Sequence, residues 1–349
     1  MKVEQKPFGT LDGQRIQAYT IRNDHHLEIT CLNYGCVITK ILTPDRTGNF
    51  ENIVLGFADI ESYETESPYF GAVIGRVAGR IKDGQFELDG KSYTVTKNEN
   101  GNHLHGGRKG FHRVVWDAAV IDKGGDETGV RFAYTSPNGE EGYPGTVMLT
   151  VSYTLNNNNE FLIHYQAQSY QTTLLNMTNH SYFNLSGNLQ RDVLQHRLKI
   201  DSDKFLELNE QLLPTGKLLD VSGTVFDLRS GRQIQEGVCS DHPQIELAGR
   251  GYDHPFLLNK NHDREIVLWE EESGRTLTIE TDAVGVVLYT GNQLSETMDV
   301  HGVKSKKYLG LCLETQGLPD AIHHSNFPSF VLEKDETFSS RTKYTFGIA

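Results

Sequence analysis

The sequence predicts an all-β protein, built as a large antiparallel β-sandwich. Aromatic and β-branched residues cluster in short runs, and 34 glycines interrupt the chain, a pattern typical of strands joined by turns. Several of these runs alternate between apolar and polar residues on either side of a turn, as in β-hairpins. Helical periodicity is not sustained for three turns anywhere in the sequence. These observations favour antiparallel strands over helices.

Three segments carry the hairpin pattern most clearly. In residues 85–95, QFELDGKSYTV, Asp89 and Gly90 separate two alternating runs, which is the strongest short-range signal for a hairpin. We expect two more, at residues 147–168 with a turn at 156–159 and at residues 266–289 with a turn at 271–275. Long loops are expected between strands at residues 98–112, 213–234 and 299–307, and functional residues are expected on such loops.

The 349 residues are expected to form a single domain that spans 1–349. At about 150 residues per domain the length would suggest two, but all-β folds exceed that size in one piece. The sequence contains no linker, low-complexity tract or internal repeat that would divide it.

Charge and composition exclude several classes of partner. The 33 basic and 46 acidic residues give a net charge of −13, and a surface that negative repels the phosphate backbone of nucleic acids. No apolar run approaches the roughly 18 residues that span a bilayer, and the N-terminal MKVEQKPFGT has no apolar segment of a signal peptide. The four cysteines form no C-x-x-C motif. We therefore expect a cytoplasmic protein with reduced thiols that binds neither nucleic acid nor membrane.

The motifs of the common cofactor and metal sites are missing from the sequence. It contains no P-loop, no G-x-G-x-x-G, no G-x-S-x-G and no H-E-x-x-H, so no cofactor is expected. His103 and His105 form an H-x-H pair, which on a strand would place two imidazoles on one face, as in cupin-type metal sites. Such a site also needs a carboxylate shortly downstream, and the residues that follow, GGRKGFHR, contain none. The sequence therefore predicts no metal.

Three polar segments in the first half of the chain are candidates for chemistry. In GRVAGRIK, residues 75–82, Arg80 can hold a hydroxyl or a carboxylate, or form an ordinary salt bridge. In NENGNHLHGG, residues 98–107, glycines flank His105, which is either a presented imidazole or a loop histidine with no role. In NMTNHSYFNLSG, residues 176–187, a strand would turn one polar face toward a cleft. His180 on that strand is a candidate general acid or base, or else a core histidine bonded to a neighbour.

Two carboxylates in the second half complete the set. Asp253 precedes a buried-looking strand in GYDHPFLL and is either a turn residue or a ligand for sugar hydroxyls. Glu314 follows an apolar run in LCLETQGLPD, where a carboxylate must be paired, hydrogen-bonded or functional, because an unpaired buried charge is costly. One imidazole, one carboxylate and several hydroxyl-binding groups suit proton transfer on a polyol without a cofactor.

Seven motifs of the chain resemble the aldose 1-epimerase (galactose mutarotase) family and occur in the family's order. They are NYG, GRVAGRI, LHGG, NHSYFNLSG, GYDHPFLL, YTGN and CLETQGLPDA, and they run from about Asn33 to the end of the chain. The resemblance implies a galactose mutarotase-like β-sandwich and the interconversion of the α and β anomers of free aldoses such as galactose and glucose. The partner would be a small aldose sugar, and the sequence leaves monomer and homodimer open.

The resemblance also implies roles for individual residues. The family's catalytic base falls on Glu314 and its catalytic acid on His180. Substrate-binding roles fall on Arg80, His105 and Asp253, and Tyr289 and Asn292 of YTGN are expected to lie nearby. Since Glu314 must be ionised and His180 protonated, we expect a bell-shaped pH profile, with the neighbouring carboxylates raising the pKa of His180.

Two departures from the family bear on the choice of sugar, and three other functions would use some of the same residues. Gly79 stands where other members have Asn, and Val287 where some have Gln. A hexose-6-phosphate 1-epimerase on the same fold would need a basic cluster such as Arg76, Arg80 and Lys82 at the pocket. A non-catalytic carbohydrate-binding sandwich would need neither His180 nor Glu314, and a glycosidase would use Asp253 and Glu314 but leave His180 unexplained.

Overall fold

Antiparallel strands dominate the computed structural model, which describes residues 1–122, 124–125 and 127–349. The strands of the first half, in chain order, are β1 (Lys2–Leu11), β2 (Gln14–Arg22), β3 (Glu28–Leu32), β4 (Ile38–Pro44), β5 (Phe50–Asn52), β6 (Val73–Ile74), β7 (Arg80–Ile81), β8 (Gln85–Leu88), β9 (Lys91–Thr94), β10 (His103–Leu104), β11 (Asp117–Asp122), β12 (Glu127–Ser136), β13 (Val147–Asn156), β14 (Glu160–Ser169) and β15 (Thr173–Leu174). Those of the second half are β16 (Thr178–Asn179), β17 (Tyr182–Phe183), β18 (Arg197–Ile200), β19 (Lys204–Leu208), β20 (Pro214–Asp220), β21 (Arg232–Gln233), β22 (Asp253–Leu257), β23 (Ile266–Trp269), β24 (Arg275–Thr281), β25 (Gly285–Tyr289), β26 (Asp299–Val300), β27 (Val303–Lys304), β28 (Leu311–Gln316), β29 (Val331–Leu332) and β30 (Thr337–Ile348).

Helices are short throughout the part of the chain that the structure describes. They are α1 (Ile60–Thr65), α2 (Ile234–Val238) and α3 (Pro243–Leu247), with single 3-10 turns at Lys82–Gly84, Phe111–Arg113, Glu140–Gly142 and Ala321–His323. This confirms that helical periodicity is not sustained. Among the described residues, no helix is long and apolar enough to cross a membrane.

Three sheets carry most of the strands. One has nine strands in the order β11-β12-β13-β14-β30-β24-β23-β18-β21, one has six in the order β17-β28-β25-β22-β19-β20, and one has five in the order β1-β2-β3-β4-β5. Small two-stranded ladders, among them β7 with β10 and β6 with β16, contain the remaining strands. The predicted all-β antiparallel sandwich is therefore confirmed.

The first two predicted hairpins are confirmed. Strands β8 and β9 pair with Leu88 opposite Lys91, and both turn residues have positive φ, +50° at Asp89 and +69° at Gly90, as a two-residue hairpin turn requires. Strands β13 and β14 pair around the polar turn, where the Asn156 side chain accepts a hydrogen bond from the backbone N–H of Glu160.

Two other predictions need correction. In residues 266–289 only β23 and β24 form the hairpin, and β25 crosses to the six-stranded sheet. Residues 213–234, predicted as a loop, contain the seven-residue strand β20. Its sequence PTGKLLD lacks a clear apolar alternation because β20 is an edge strand, held by its pairing with β19 rather than by burial of one face.

The main core lies between the nine-stranded sheet and the inner faces of the other two. Side chains of β13 and β14 such as Tyr153 and Ile163 meet Leu313 of β28 and Ile29 of β3 in one buried cluster. The outer face of the six-stranded sheet is thereby left free for the cavity described below. The cluster contains residues from both ends of the chain, such as Tyr19 and Phe346. The single domain over 1–349 stays a prediction.

Candidate active site

The outer face of the six-stranded sheet is the floor of a cavity of about 300 Å³. Because side chains alternate along a strand, every second residue of the central strands faces this cavity. The pairing of the strands brings Val287 opposite Glu314 and Asp253 opposite Tyr289. The floor consists of Asp253 and Pro255 of β22, Val287 and Tyr289 of β25, and Glu314 and Gln316 of β28.

Short ladders beside the sheet bring three more predicted residues to the cavity. Arg80 begins β7, and Leu104 of β10 pairs with it, so that His105 follows directly. His180 lies between β16 and β17, and its backbone N–H and C=O both bond to the segment before β6. The expected single strand over residues 176–187 is therefore wrong, since two short strands flank His180. Six of the seven predicted site residues line the cavity: Arg80, His105, His180, Asp253, Tyr289 and Glu314.

His180 and Glu314 face each other at the centre of the site. The Nε2 atom of His180 lies 3.5 Å from Oε1 of Glu314, and the two side chains are 5% and 4% exposed. The other carboxylate oxygen, Oε2, has no hydrogen-bond partner among the described residues. Such an oxygen is an acceptor that a substrate hydroxyl can use.

Burial controls the ionisation of both groups. It raises the pKa of Glu314 well above its usual range, with the charge of Asp253 acting in the same direction and the charge of Arg80 opposing. It lowers the pKa of His180 to about 4, because aromatic rings of Tyr69, His105 and Tyr182 surround the imidazole and exclude water. The expectation that nearby carboxylates raise the pKa of His180 is therefore wrong, since desolvation outweighs them.

His105 is held as a hydrogen-bond donor. Its Nδ1 accepts a hydrogen bond of 3.2 Å from the backbone N–H of Gly79, and burial lowers its pKa well below the usual range, so the neutral ring carries its proton on Nε2. The chain reverses at His105, with φ of +51°, and Gly106 follows where a Cβ would lie 1.8 Å from the carbonyl oxygen of Gly75. This tight turn presents the imidazole to the cavity.

The same hydrogen bond bears on metal binding. Ligating atoms of His105, His180 and Glu314 lie within 4.8 Å of one another, a spacing that a metal ion could bridge. A metal-bound histidine normally donates its second ring N–H, whereas His105 accepts at Nδ1 and so presents a protonated Nε2. The donor set therefore fits a hydroxyl better than a cation. The H-x-H pair is also separated, because His103 points away to Thr96 and Tyr143.

Arg80 is fixed by a carboxylate that the sequence analysis missed. Its Nε and Nη2 donate to the two oxygens of Glu99 at 3.2 and 3.0 Å, a bidentate pair at the cavity wall. Asp253 is partly exposed to the cavity, and burial raises its pKa while the charge of Arg80 opposes the shift. Glu99 lies in the polar NENGN stretch close to His105, and this proximity was its only signal in the sequence.

Asn292 is the one predicted site residue that does not reach the cavity. It is 1% exposed, its Nδ2 donates to the carbonyl oxygen of Ala248, and its Oδ1 accepts from Thr290 at 3.1 Å. Both ends of the amide are thus used inside the protein, so substrate binding by Asn292 is corrected to a structural role. Its neighbour Tyr289 does line the cavity, and its hydroxyl accepts a hydrogen bond from the backbone N–H of Gln293.

Tyr69 is a second cavity residue that the sequence analysis missed. Its ring centroid lies 4.8 Å from that of His105, 4.9 Å from that of His112 and 5.7 Å from that of His180. With φ of +69° it occupies a backbone conformation that bulky residues rarely adopt. Tyr69 thus helps to exclude water from the imidazole of His180.

Comparisons with known proteins identify the family of the chain. A sequence model of the aldose 1-epimerase family matches residues 17–345. The chain is 39% identical to the galactose mutarotases of Rattus norvegicus, over 100% of both chains, and of Homo sapiens, over 99% of both, and 34% identical to the aldose 1-epimerase of Escherichia coli strain K12, over 99% of both. The solved structure of galactose 1-epimerase from Lactobacillus acidophilus aligns with a TM-score of 0.89 and 30% identity, over 100% of this chain and 99% of that one. The chain therefore belongs to the aldose 1-epimerase (galactose mutarotase) family of isomerases.

Proposed function

We propose that this enzyme interconverts the α and β anomers of free aldohexoses, galactose and glucose among them, with Glu314 as the base and His180 as the acid. The observation that carries the proposal is the 3.5 Å approach of His180 Nε2 to Glu314 Oε1 inside the cavity. Related proteins are named for galactose, and the cavity, at about 300 Å³, has the size of a small-ligand site.

The proposed reaction opens the sugar ring and closes it on the other face. Ionised Glu314 accepts the proton of the C1 hydroxyl while protonated His180 donates to the ring oxygen, and the bond between C1 and that oxygen breaks. The open-chain aldehyde rotates about the C1–C2 bond. On closure the oxygen of the C5 hydroxyl forms a bond to C1 and its proton passes to His180, while Glu314 returns its proton to the aldehyde oxygen, which becomes the C1 hydroxyl. The pair therefore ends with the single proton with which it began.

Burial couples the two groups through one proton, and by itself it favours the neutral form of each. Because it disfavours both charges, the pair holds one proton over a wide pH range, either as imidazolium with carboxylate or as their neutral forms. The charge of Arg80 lowers the pKa of Glu314 against the effect of burial and so favours the ionised base. Each positioned proton transfer contributes on the order of 10²–10⁴-fold in rate.

The remaining cavity residues would orient the sugar. His105 offers the Nε2–H as a donor, Asp253 offers carboxylate oxygens as acceptors, and Arg80, fixed by Glu99, offers guanidinium N–H groups. Tyr289 contributes a ring surface beside Tyr182, with the ring centroids 5.9 Å apart. A hydrogen bond between a charged group and a hydroxyl is worth roughly 1.5–3 kcal/mol, which suffices to fix the orientation of the ring.

A hexose 6-phosphate is less well accommodated than a free sugar. Among the described residues that line the cavity, Arg80 is the one Lys or Arg, and its guanidinium is already paired with Glu99. Arg76, the other arginine of GRVAGRIK, is 2% exposed and donates to Ser136 and to the carbonyl oxygens of Pro137 and Pro144. The basic cluster that a phosphate would need is therefore not assembled from these residues.

The proposal is tested by polarimetry on freshly dissolved α-D-galactose and α-D-glucose and on their 6-phosphates. We expect the enzyme to accelerate the change in optical rotation of the free sugars, with kcat/KM for the 6-phosphates lower by about tenfold or more, a difference of about 1.4 kcal/mol. No acceleration with any free aldose would refute the proposal, and faster turnover of the phosphates would replace it by the phosphate-specific reaction.

We further propose a cytoplasmic location, as monomer or homodimer. The support for the location is that all four cysteines are free thiols, three of them buried. Fractionation of cells with a thiol-labelling control tests the location, and light scattering of the purified chain distinguishes the two assemblies.

A further inference from the structure

Gln316 occupies the last position of β28, two residues beyond Glu314 and on the same face of the sheet. Between them Thr315 points the other way and bonds through its hydroxyl to Thr342 of the nine-stranded sheet, so that Glu314 and Gln316 both line the cavity. The six-stranded sheet therefore presents a second polar side chain beside the base.

The side-chain amide of Gln316 is buried without a partner. The residue is 3% exposed, and neither Nε2 nor Oε1 forms a hydrogen bond with any residue that the structure describes. Gly285 pairs with Gln316 in the ladder and has no side chain that could bond to the amide. Leu318 and Pro319, which follow the strand, have apolar side chains. A buried amide left unpaired is costly, and native proteins normally supply a partner for it.

The amide matches a sugar hydroxyl in chemistry. Its NH₂ donates and its carbonyl oxygen accepts, so it can serve either role of a hydroxyl group. Two residues along a strand span about 6.8 Å, a distance comparable to the width of a pyranose ring. A sugar with C1 at Glu314 can therefore bring one of its other hydroxyls to Gln316.

The position of His180 indicates which hydroxyl this is. His180 lies beside Cys312, two residues before Glu314 on β28, with Nδ1 3.4 Å from the thiol sulfur. A ring oxygen that His180 protonates would therefore lie toward Cys312 from C1. C2, the other ring neighbour of C1, would then be directed toward Gln316.

We propose that Gln316 binds a hydroxyl on the C2–C3 edge of the aldose and so selects which sugars the enzyme accepts. This inference rests on the proposed function. The alternative is that the amide only fills space, since Gln316 also borders a second cavity of about 260 Å³, lined in part by Met177 and Phe330. A space-filling role would affect folding stability but would not distinguish one sugar hydroxyl from another.

The test is a double-mutant cycle between protein and sugar. Gln316→Met keeps the length of the side chain but removes its hydrogen bonds, and Gln316→Leu removes them with a shorter side chain. The matched control is Gln166→Leu, a solvent-facing glutamine on β14 of the other sheet. Each enzyme is assayed by polarimetry on galactose and on its 2-deoxy, 3-deoxy and 6-deoxy forms, and melting is recorded in parallel.

We expect Gln316→Met to lower kcat/KM for galactose by about tenfold, mainly through KM, because one hydrogen bond to substrate is lost. On either the 2-deoxy or the 3-deoxy sugar, Gln316→Met should not lower kcat/KM any further, because the hydroxyl that Gln316 binds is already missing. On the 6-deoxy sugar, the effect of the substitution and the effect of the missing hydroxyl on kcat/KM should multiply. The shape of the pH profile should not change. Gln316→Leu, which also removes both hydrogen-bonding groups, should show the same coupling if Gln316→Met does not fold.

The proposal would be overturned if Gln316→Met lowered kcat/KM by the same factor on every deoxy sugar as on galactose, with or without a lowered melting temperature. It would also be overturned if the effect of the substitution disappeared only on the 6-deoxy sugar. Failure of the proposed function has a different signature, because the wild-type enzyme would then show no activity on galactose itself.

Discussion

The imidazole of His180 and the carboxylate of Glu314 lie 3.5 Å apart in a cavity that shields both from solvent. Glu314 comes from the middle of β28 and His180 from the break between β16 and β17, and the pairing of β17 with β28 brings the two residues together. The rings of Tyr69 and Tyr182 lie against the imidazole of His180, and the charge of Asp253 raises the pKa of Glu314. The proposed acid and base catalysis depends on this one contact.

The paired arginine gives the first prediction. Arg80→Lys should raise KM for galactose by roughly tenfold to a hundredfold, because a lysine cannot form the two parallel hydrogen bonds to Glu99 and its ammonium will not be held toward the sugar. Steady-state polarimetry measures the effect, with Arg131→Lys on the exposed surface of β12 as the control. An unchanged KM would remove Arg80 from the sugar-binding residues.

The sandwich and most of the cavity could be predicted from the sequence because they depend on local patterns. The turn at Asp89 and Gly90 is sufficient to predict its hairpin. The resemblance of the motifs to the family predicted that Arg80, His180 and Glu314 share one site, and all three line the cavity. Asn292 was misplaced because a motif does not show the direction of a side chain, and here both ends of the amide bond inside the protein.

Properties that depend on distant chain segments could not be predicted. The pKa of His180 is lowered by rings of Tyr69 and His105, which lie far from it in sequence and reach it only through the fold. In the same way, the pairing of Arg80 with Glu99 depends on the ladder of β7 with β10, two strands of two residues each. Strands that short carry no periodic signal in the sequence.

The buried carboxylate should cost stability at neutral pH. In the unfolded chain Glu314 ionises near its usual pKa, whereas burial holds the proton to a higher pH in the folded state. As the pH rises above the unfolded pKa, the folded state therefore binds more protons and stability falls, by up to about 1.4 kcal/mol per pH unit. Glu314→Gln should accordingly melt higher than the wild type at pH 7–8.

This melting difference should shrink as the pH falls below the usual pKa of a glutamate, about 4.3, because the carboxyl then becomes protonated in both states. Differential scanning calorimetry across pH measures it, and Glu87→Gln on the exposed side of β8 should show no such trend. A variant that melts lower than the wild type at every pH would show that ionised Glu314 stabilises the fold.

Metal removal provides a third prediction. EDTA should leave the polarimetric rate unchanged, because His105 presents a protonated nitrogen to the cavity and no proposed step needs a Lewis acid. Loss of activity in the chelator, followed by recovery with one divalent ion, would show instead that His105, His180 and Glu314 bind a metal.

The most direct test of the acid and base assignment is the pH dependence of kcat/KM in two variants. Wild type should give a broad bell, because the pair is active with one shared proton and loses activity when it gains a second or loses the first. His180→Asn and Glu314→Gln should each lower the rate by roughly 10²–10⁴-fold.

The two residual profiles should have opposite slopes. In His180→Asn the carboxylate acts alone, so the residual rate should rise with pH and show no alkaline decline. In Glu314→Gln the imidazolium acts alone, so the rate should fall as the pH rises through the His180 pKa of about 4. A near wild-type rate in Glu314→Gln, or an alkaline limb that persists in His180→Asn, would contradict the account and assign the acid or the base to another residue.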